Sequence, residues 1–213
     1  MTKKILSKSQ ANLYIQCPFK WKKCYVDNIR SIPSPAQARG IRIHKKIENF
    51  YNHPKPIGDK EMTNFIKFDE ERKKDSIDKK YSVPLFQELK LKNEELGLKG
   101  IIDAVYINPE DDGIIVVDWK TGQYNKKNLD DYRFELAVYT ELLKNSGRVN
   151  DVKYWAIYFT DKDKLFFEKI DKKYIKEMYE KLDWVRDEIL KENYQPKRNT
   201  WCFCCPFKKE CGI

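Results

Sequence analysis

Residues 98–120, LKGIIDAVYINPEDDGIIVVDWK, carry two runs of branched and aromatic residues separated by Asn108-Pro109-Glu110-Asp111-Asp112-Gly113. The intervening residues are turn formers, so the runs read as two strands of an antiparallel hairpin. Just upstream, VPLFQELKL (83–91) has the same character and ends at Asn93-Glu94-Glu95, which extends the hairpin to a three-stranded meander. Side chains alternate along a strand. That places Asp103 on the face of Ile101, Val105 and Ile107, and puts Asp118 and Lys120 together on one side of the next strand. The turn lays these strands side by side and brings Asp103 near Asp118 and Lys120. A charge on an apolar face needs a partner, because an unpaired buried charge is expensive. An interior Asp–Lys ion pair is one explanation. The other is a phosphoester chemistry: paired carboxylates hold Mg²⁺ or Mn²⁺, and a lysine orients water or neutralises a phosphate.

Outward from this core, Ser7 to Gln16 reads as a short helix capped by Ser7 or Ser9, and Pro18 opens a second helical segment through Tyr25. SIPSPAQARG (31–40) is a turn-rich linker. Helical character resumes from Ala36 to Tyr51, with Ile41, His44, Ile47 and Tyr51 on one face. A polar helical stretch over about 59–80 reads as a solvated face. After the strands come a helix at Asp130 to Asn145, strands at 151–159 and 164–169, and an amphipathic helix at about 171–192. The order predicts an α/β fold with a mixed sheet flanked by helices.

The chain has 213 residues, enough for one domain with a real core. Its 42 Lys+Arg against 33 Asp+Glu give a net charge of +9, which fits a polyanionic partner, nucleic acid ahead of membrane, or simply a lysine-rich surface. Mean hydropathy is −0.76 and no apolar run is long enough to span a membrane. The start, MTKKILSKSQ, lacks a signal-type apolar core, so a cytoplasmic location is expected. In that compartment six cysteines point to metal binding rather than disulfides.

LKGIIDAVYI, a hairpin and VVDWKTG together resemble the core of PD-(D/E)XK nucleases, in their RecB-like branch, where Gly-x-x-Asp on one strand precedes Asp/Glu-x-Lys on the next. The matching residues are Gly100, Asp103, Asp118 and Lys120. The resemblance implies a restriction-endonuclease-like α/β core at about 81–170 and a metal held by His44, Asp103, Asp118 and the main-chain carbonyl of Trp119. Glu88 sits where many relatives carry a further acidic residue. YRFELAVYTELL resembles the helical Gln-x-x-x-Tyr motif, with Tyr139 as its tyrosine and Glu135 where glutamine is usual. A carboxylate accepts hydrogen bonds but cannot donate them. Tyr124, Tyr132 and Trp119 are candidates for stacking against bases.

Cys17, followed by Pro18 and aromatic residues, resembles the opening of RecB-like and AddB-like nucleases. With Cys202, Cys205 and Cys211 it resembles the iron–sulfur staple of AddB and of the CRISPR-associated Cas-four exonucleases. That likeness implies a [4Fe–4S] cluster joining a subdomain made of residues 1–30 and 195–213. Zinc is the alternative, since it too takes four thiolates. Cys24 and Cys204 are spare thiols. The implied activity is exonucleolytic hydrolysis of single-stranded or frayed-end DNA within a single nuclease domain. Recombination, replication or CRISPR-adaptation proteins are the implied partners. The other class of reading is a nucleic-acid-binding subunit whose nuclease site is vestigial.

Overall fold

The computed structural model describes residues 3–29, 32–51, 60–74 and 78–212. Helices α1 (Lys8–Gln16), α2 (Pro18–Tyr25), α3 (Pro35–Phe50), α4 (Thr63–Lys74) and α5 (Lys79–Ser82) precede the sheet. β1 (Phe86–Asn93), β2 (Leu98–Ile107) and β3 (Ile114–Lys120) form the antiparallel meander. Helix α6 (Leu129–Lys144) then crosses over, so that β4 (Val152–Phe159) runs parallel to β3, and β5 (Lys164–Lys169) returns antiparallel. The sheet order is β1-β2-β3-β4-β5, and α7 (Lys172–Leu190) and the short α8 (Lys208–Cys211) complete the chain.

Two cores sandwich the sheet. Val105, Val116, Trp155 and Ile157 pack with residues of α1, α6 and α7 on one face. On the other, Ala104, Val117, Trp119 and Tyr158 meet Ile43, Ile47 and Phe50 of α3 and Phe65 of α4. The buried stripe of α3 is therefore Ile43-Ile47-Phe50; Ile41 is 66% exposed and His44 lies at the stripe's edge. The expected linker is shorter than 31–40, because Ser34 and Gln37 make a capping box and Pro35 takes the first helical position. Ser31 lies outside the described residues. The polar stretch at 59–80 divides into α4 and α5, with 59 and 75–77 outside the described residues. It is more than a solvated face. Phe65 and Asp69 are buried, and Asp69 accepts from Tyr51 and Arg72.

One irregularity shapes everything that follows. Between Gln87↔Ala104 and Leu89↔Ile102 the ladder skips Glu88 and Asp103, and Glu88 has φ of 45°. Ile102 and Val105 both join the α6 face, so the pleat slips phase across Asp103 and Ala104. Simple alternation fails here: Asp103 does not share the face of Val105 and Ile107. At the same place β2 and β3 part, for their ladder begins at Ala104↔Val117.

The N-terminal segment is tied in from far along the chain. Leu6 bridges Leu98, while the buried Arg186 of α7 donates to the carbonyls of Leu96 and Gly97 at 2.9 and 2.8 Å and to that of Lys4. A side chain at Gly97 would collide with Arg186 and Lys3, and its φ of 63° also demands glycine. Replacing Arg186 with Met removes all three donations at once, although the Gly97 carbonyl keeps the Leu6 N–H, and should cost about 3 kcal/mol. A melting temperature lowered by roughly 6–12 °C checks this; an unchanged value contradicts it.

Candidate active site

Five elements converge on one cleft of about 1140 Å³, whose wall includes His44, Glu88, Asp103, Glu135 and Tyr139. Helix α3 presents His44, whose Nδ1 lies 3.3 Å from Asp103 Oδ1 and 4.0 Å from Glu88 Oε1. These three side chains bring ligand atoms within 4.8 Å of one another, a spacing that can hold a metal ion. The phase slip in β1 and β2 is what turns Glu88 and Asp103 toward α3.

Asp103 has a second task. Its Oδ2 accepts the backbone N–H of Trp119 at 2.8 Å, where β3 has lost its ladder partner. Thr160 N–H donates to the Lys120 carbonyl on the β4 side, so the neighbouring Trp119 carbonyl leaves β3 on the β2 side, at the split.

Asp118 is buried beside Lys120, whose Nζ lies 2.8 and 2.6 Å from its two oxygens. The same Nζ is 2.8 Å from Glu135 Oε2 of α6. Glu135 also accepts from Lys8 Nζ at 3.0 Å and from Tyr139 hydroxyl at 3.2 Å. Tyr139 lies against β2 because Gly100 has no side chain; a Cβ there would stand 3.0 Å from the ring. This is the physical content of a glycine three residues before Asp103.

The charges organise themselves by burial and pairing. Burial opposes a charged His44, yet the hydrogen-bonded Asp103 outweighs it and the imidazole is pushed up to about 9. Burial, reinforced by Asp103, raises Glu88. Burial likewise pushes Asp118 up in spite of Lys120. Glu135 goes the other way: burial works against its charge, but Lys120 and then Lys8 hold it ionised. Burial and the nearby carboxylates raise Tyr139, which stays a neutral donor.

One reading of the aromatics changes. Trp119 is 2% exposed, wedged edge-on against Phe65, Tyr106 and Tyr158, so it is core and cannot stack on a base. Tyr124 and Tyr132 are partly buried and rest edge-on against Phe159. Lys8 was not singled out in the sequence. It sits 127 residues from Glu135, and nothing in its local context marks it.

Cys17 closes α1, and with Cys202, Cys205 and Cys211 it lines one small cavity of about 30 Å³. The backbone N–H of Asn199 points at Cys202 Sγ, 3.3 Å away. All six cysteines are free, and no three of their described sulfurs lie within 4.8 Å of one another. Cys204 is exposed. Cys24 is half-buried, with burial raising its thiol and Cys205 close enough to add to the shift. No helix of the described residues is long and apolar enough to cross a membrane.

The PD-(D/E)XK nuclease superfamily matches residues 5–82 and 66–212, which together run over nearly the whole chain, and the protein belongs to that superfamily. Among solved structures, a protein from Eubacterium rectale called "Putative exonuclease" is similar in fold, with a TM-score of 0.63 at 16% identity. The match covers 95% of this chain and 87% of that one. No curated protein matches the chain. The protein is thus a nuclease of a superfamily that works with divalent metals, and the His44, Glu88 and Asp103 group lies in its cleft.

Without metal, the charged His44 adds stability, because its folded pKa of about 9 exceeds the ordinary 6.5. That contribution is full below pH 6.5 and is lost as pH rises through about 9. Urea midpoints in chelator should therefore separate wild type from His44→Gln at pH 6 and converge toward pH 10. A pH-independent gap contradicts a charged His44.

Proposed function

We propose that this nuclease is a metal-dependent DNA exonuclease, acting chiefly on single-stranded or frayed ends and leaving a 5′-phosphate and a 3′-hydroxyl. The observation that carries it is Asp103, which closes the split between β2 and β3 with one oxygen and faces His44 with the other. His44, Asp103 and Asp118, with the Trp119 carbonyl and Glu88 beside them, are the donors for Mg²⁺ or Mn²⁺. The carboxylate and carbonyl oxygens suit those hard cations, and the single imidazole, a softer ligand, inclines the set toward Mn²⁺. When bound, the cation supplies polarisation of the phosphate and activation of water. Lys120 neutralises charge on the transferred phosphate. Lys45, Lys90 and Lys99 on the cleft wall offer cations to the nucleic-acid backbone. The exonuclease reading draws support from the Cas-four and AddB resemblance and from the name of the Eubacterium rectale protein. Recombination, replication or CRISPR-adaptation proteins are the partner class in keeping with that likeness.

Cys17, Cys202, Cys205 and Cys211 are the ligands of a [4Fe–4S] cluster in this reading. They line one cavity between α1 and the C-terminal segment, residues 1–30 and 195–213 forming a cluster subdomain. Lys197 donates to the Ile15 carbonyl, Asn199 to that of Gln16, and Lys23 pairs with Glu210, which ties the two ends together. A single zinc would draw its four sulfurs to roughly 3.8 Å of one another. The preference for a cluster of several irons comes from the AddB and Cas-four resemblance, and zinc is the alternative.

End-labelled single-stranded DNA with Mn²⁺ should be degraded by the wild type and, at least about 100-fold more slowly, by Asp103→Asn. No cleavage by protein holding its full metal complement removes the enzyme reading and leaves a nucleic-acid-binding subunit. Anaerobically purified protein should be coloured and contain iron and sulfide. Cys202→Ala should lose that colour and melt at a lower temperature, whereas zinc without iron overturns the cluster.

A further inference from the structure

We infer that Lys8 is a positioning residue of the cleavage site, acting through Glu135 to hold Lys120 where it can face the phosphate. The inference rests on the nuclease reading above.

Glu135 is a buried carboxylate on α6 where the family motif usually has an uncharged amide. Left alone beside Asp118, it would give Lys120 two anions to satisfy in a poorly solvated place. The structure supplies a second cation. Lys8 Nζ stands 3.0 Å from the same Oε2 that Lys120 approaches at 2.8 Å, with side chains 16% and 22% exposed. The four groups Lys8, Glu135, Lys120 and Asp118 then sum to zero charge.

Lys8 is the first residue of α1, fixed by the Ser7–Gln10 capping box, and no acidic residue shares that first turn. A lysine there is unfavourable for the helix itself, since the N-terminus already carries the positive end of the dipole. The Lys8 ammonium finds its counter-charge in Glu135 instead. Tyr139 occupies Oε1, so Glu135 is held on each oxygen and cannot swing after Lys120.

With Lys8 in place, Glu135 is already neutralised and Lys120 is shared between Asp118 and Glu135 rather than drawn fully onto one of them. Without it, Glu135 carries an unmatched charge and pulls Lys120 away from the substrate. Gln at 135 would make Lys8 unnecessary. The two positions are therefore coupled, and the coupling has a sign.

The test is a double-mutant cycle on end-labelled single-stranded DNA with Mn²⁺, reading kcat and KM separately. Lys8→Met should lower kcat at least about tenfold with KM nearly unchanged, and Lys8→Arg should recover most of it. Lys8→Met/Glu135→Gln should regain kcat to within a few fold of Glu135→Gln alone. A kcat unaffected by Lys8→Met overturns the inference, as does a double variant whose loss is the product of the two single losses. A loss appearing only in KM reassigns Lys8 to substrate binding and also overturns it. Absence of cleavage by the wild type removes the nuclease reading and this inference together, whereas an active wild type with an indifferent Lys8 removes this inference alone.

Discussion

A single hydrogen bond, from the Trp119 N–H to Asp103, sets the conditions for the rest of the site. Two neighbouring strands that separate must leave backbone groups without partners, and in a buried sheet such orphans are costly. Asp103 supplies the missing acceptor from its side chain. The strands can then part without penalty, and the gap becomes a place where side chains from both sides of the sheet meet. An aspartate suits this because its short side chain reaches the adjacent strand and still has a second oxygen to offer. The carboxylate that completes the fold is also one of the group that can hold a metal ion.

The second constraint is electrostatic. Asp118 is fully enclosed and Glu135 nearly so, and two such anions are tolerated only because cations touch them. Lys120 is the shared one. It lies over the ring of Tyr132, whose face adds a modest attraction on the side away from the carboxylates. Shared between Asp118 and Glu135, Lys120 is held in place without being locked to one acid.

Much of this was legible in the chain. The hairpin at 98–120, the crossover helix, the final hairpin and the caps at Ser7 and Pro18 all rest on short-range chemistry, and the elements fall within a residue or two of expectation. His44 and Asp103 gather with Glu88, whereas Asp118 and Lys120 gather with Glu135, so the predicted residues fall into two groups. Other features depended on facts that no local pattern contains. Strict alternation mis-assigned the face of Asp103, because the slip opposite Glu88 comes from how two strands pair. Ile41 matched the helical period but faces the cleft, and Trp119 looked available although Phe65 and Tyr158 enclose it. The Lys8–Glu135 contact joins residues too far apart in sequence for any periodicity to connect them.

The clasp between the chain's two ends has a consequence for synthesis. The C-terminal turn of α1 docks against residues made much later in the chain: Tyr14 bonds to the Asn193 carbonyl, and Ile15 and Gln16 are met by Lys197 and Asn199. Until those residues emerge, this turn of α1 lacks those three anchors. Docking of that turn is therefore completed only after every strand of the sheet has been made. A growing chain that stops short of Asn193 carries every strand of the core but leaves that end of α1 untethered.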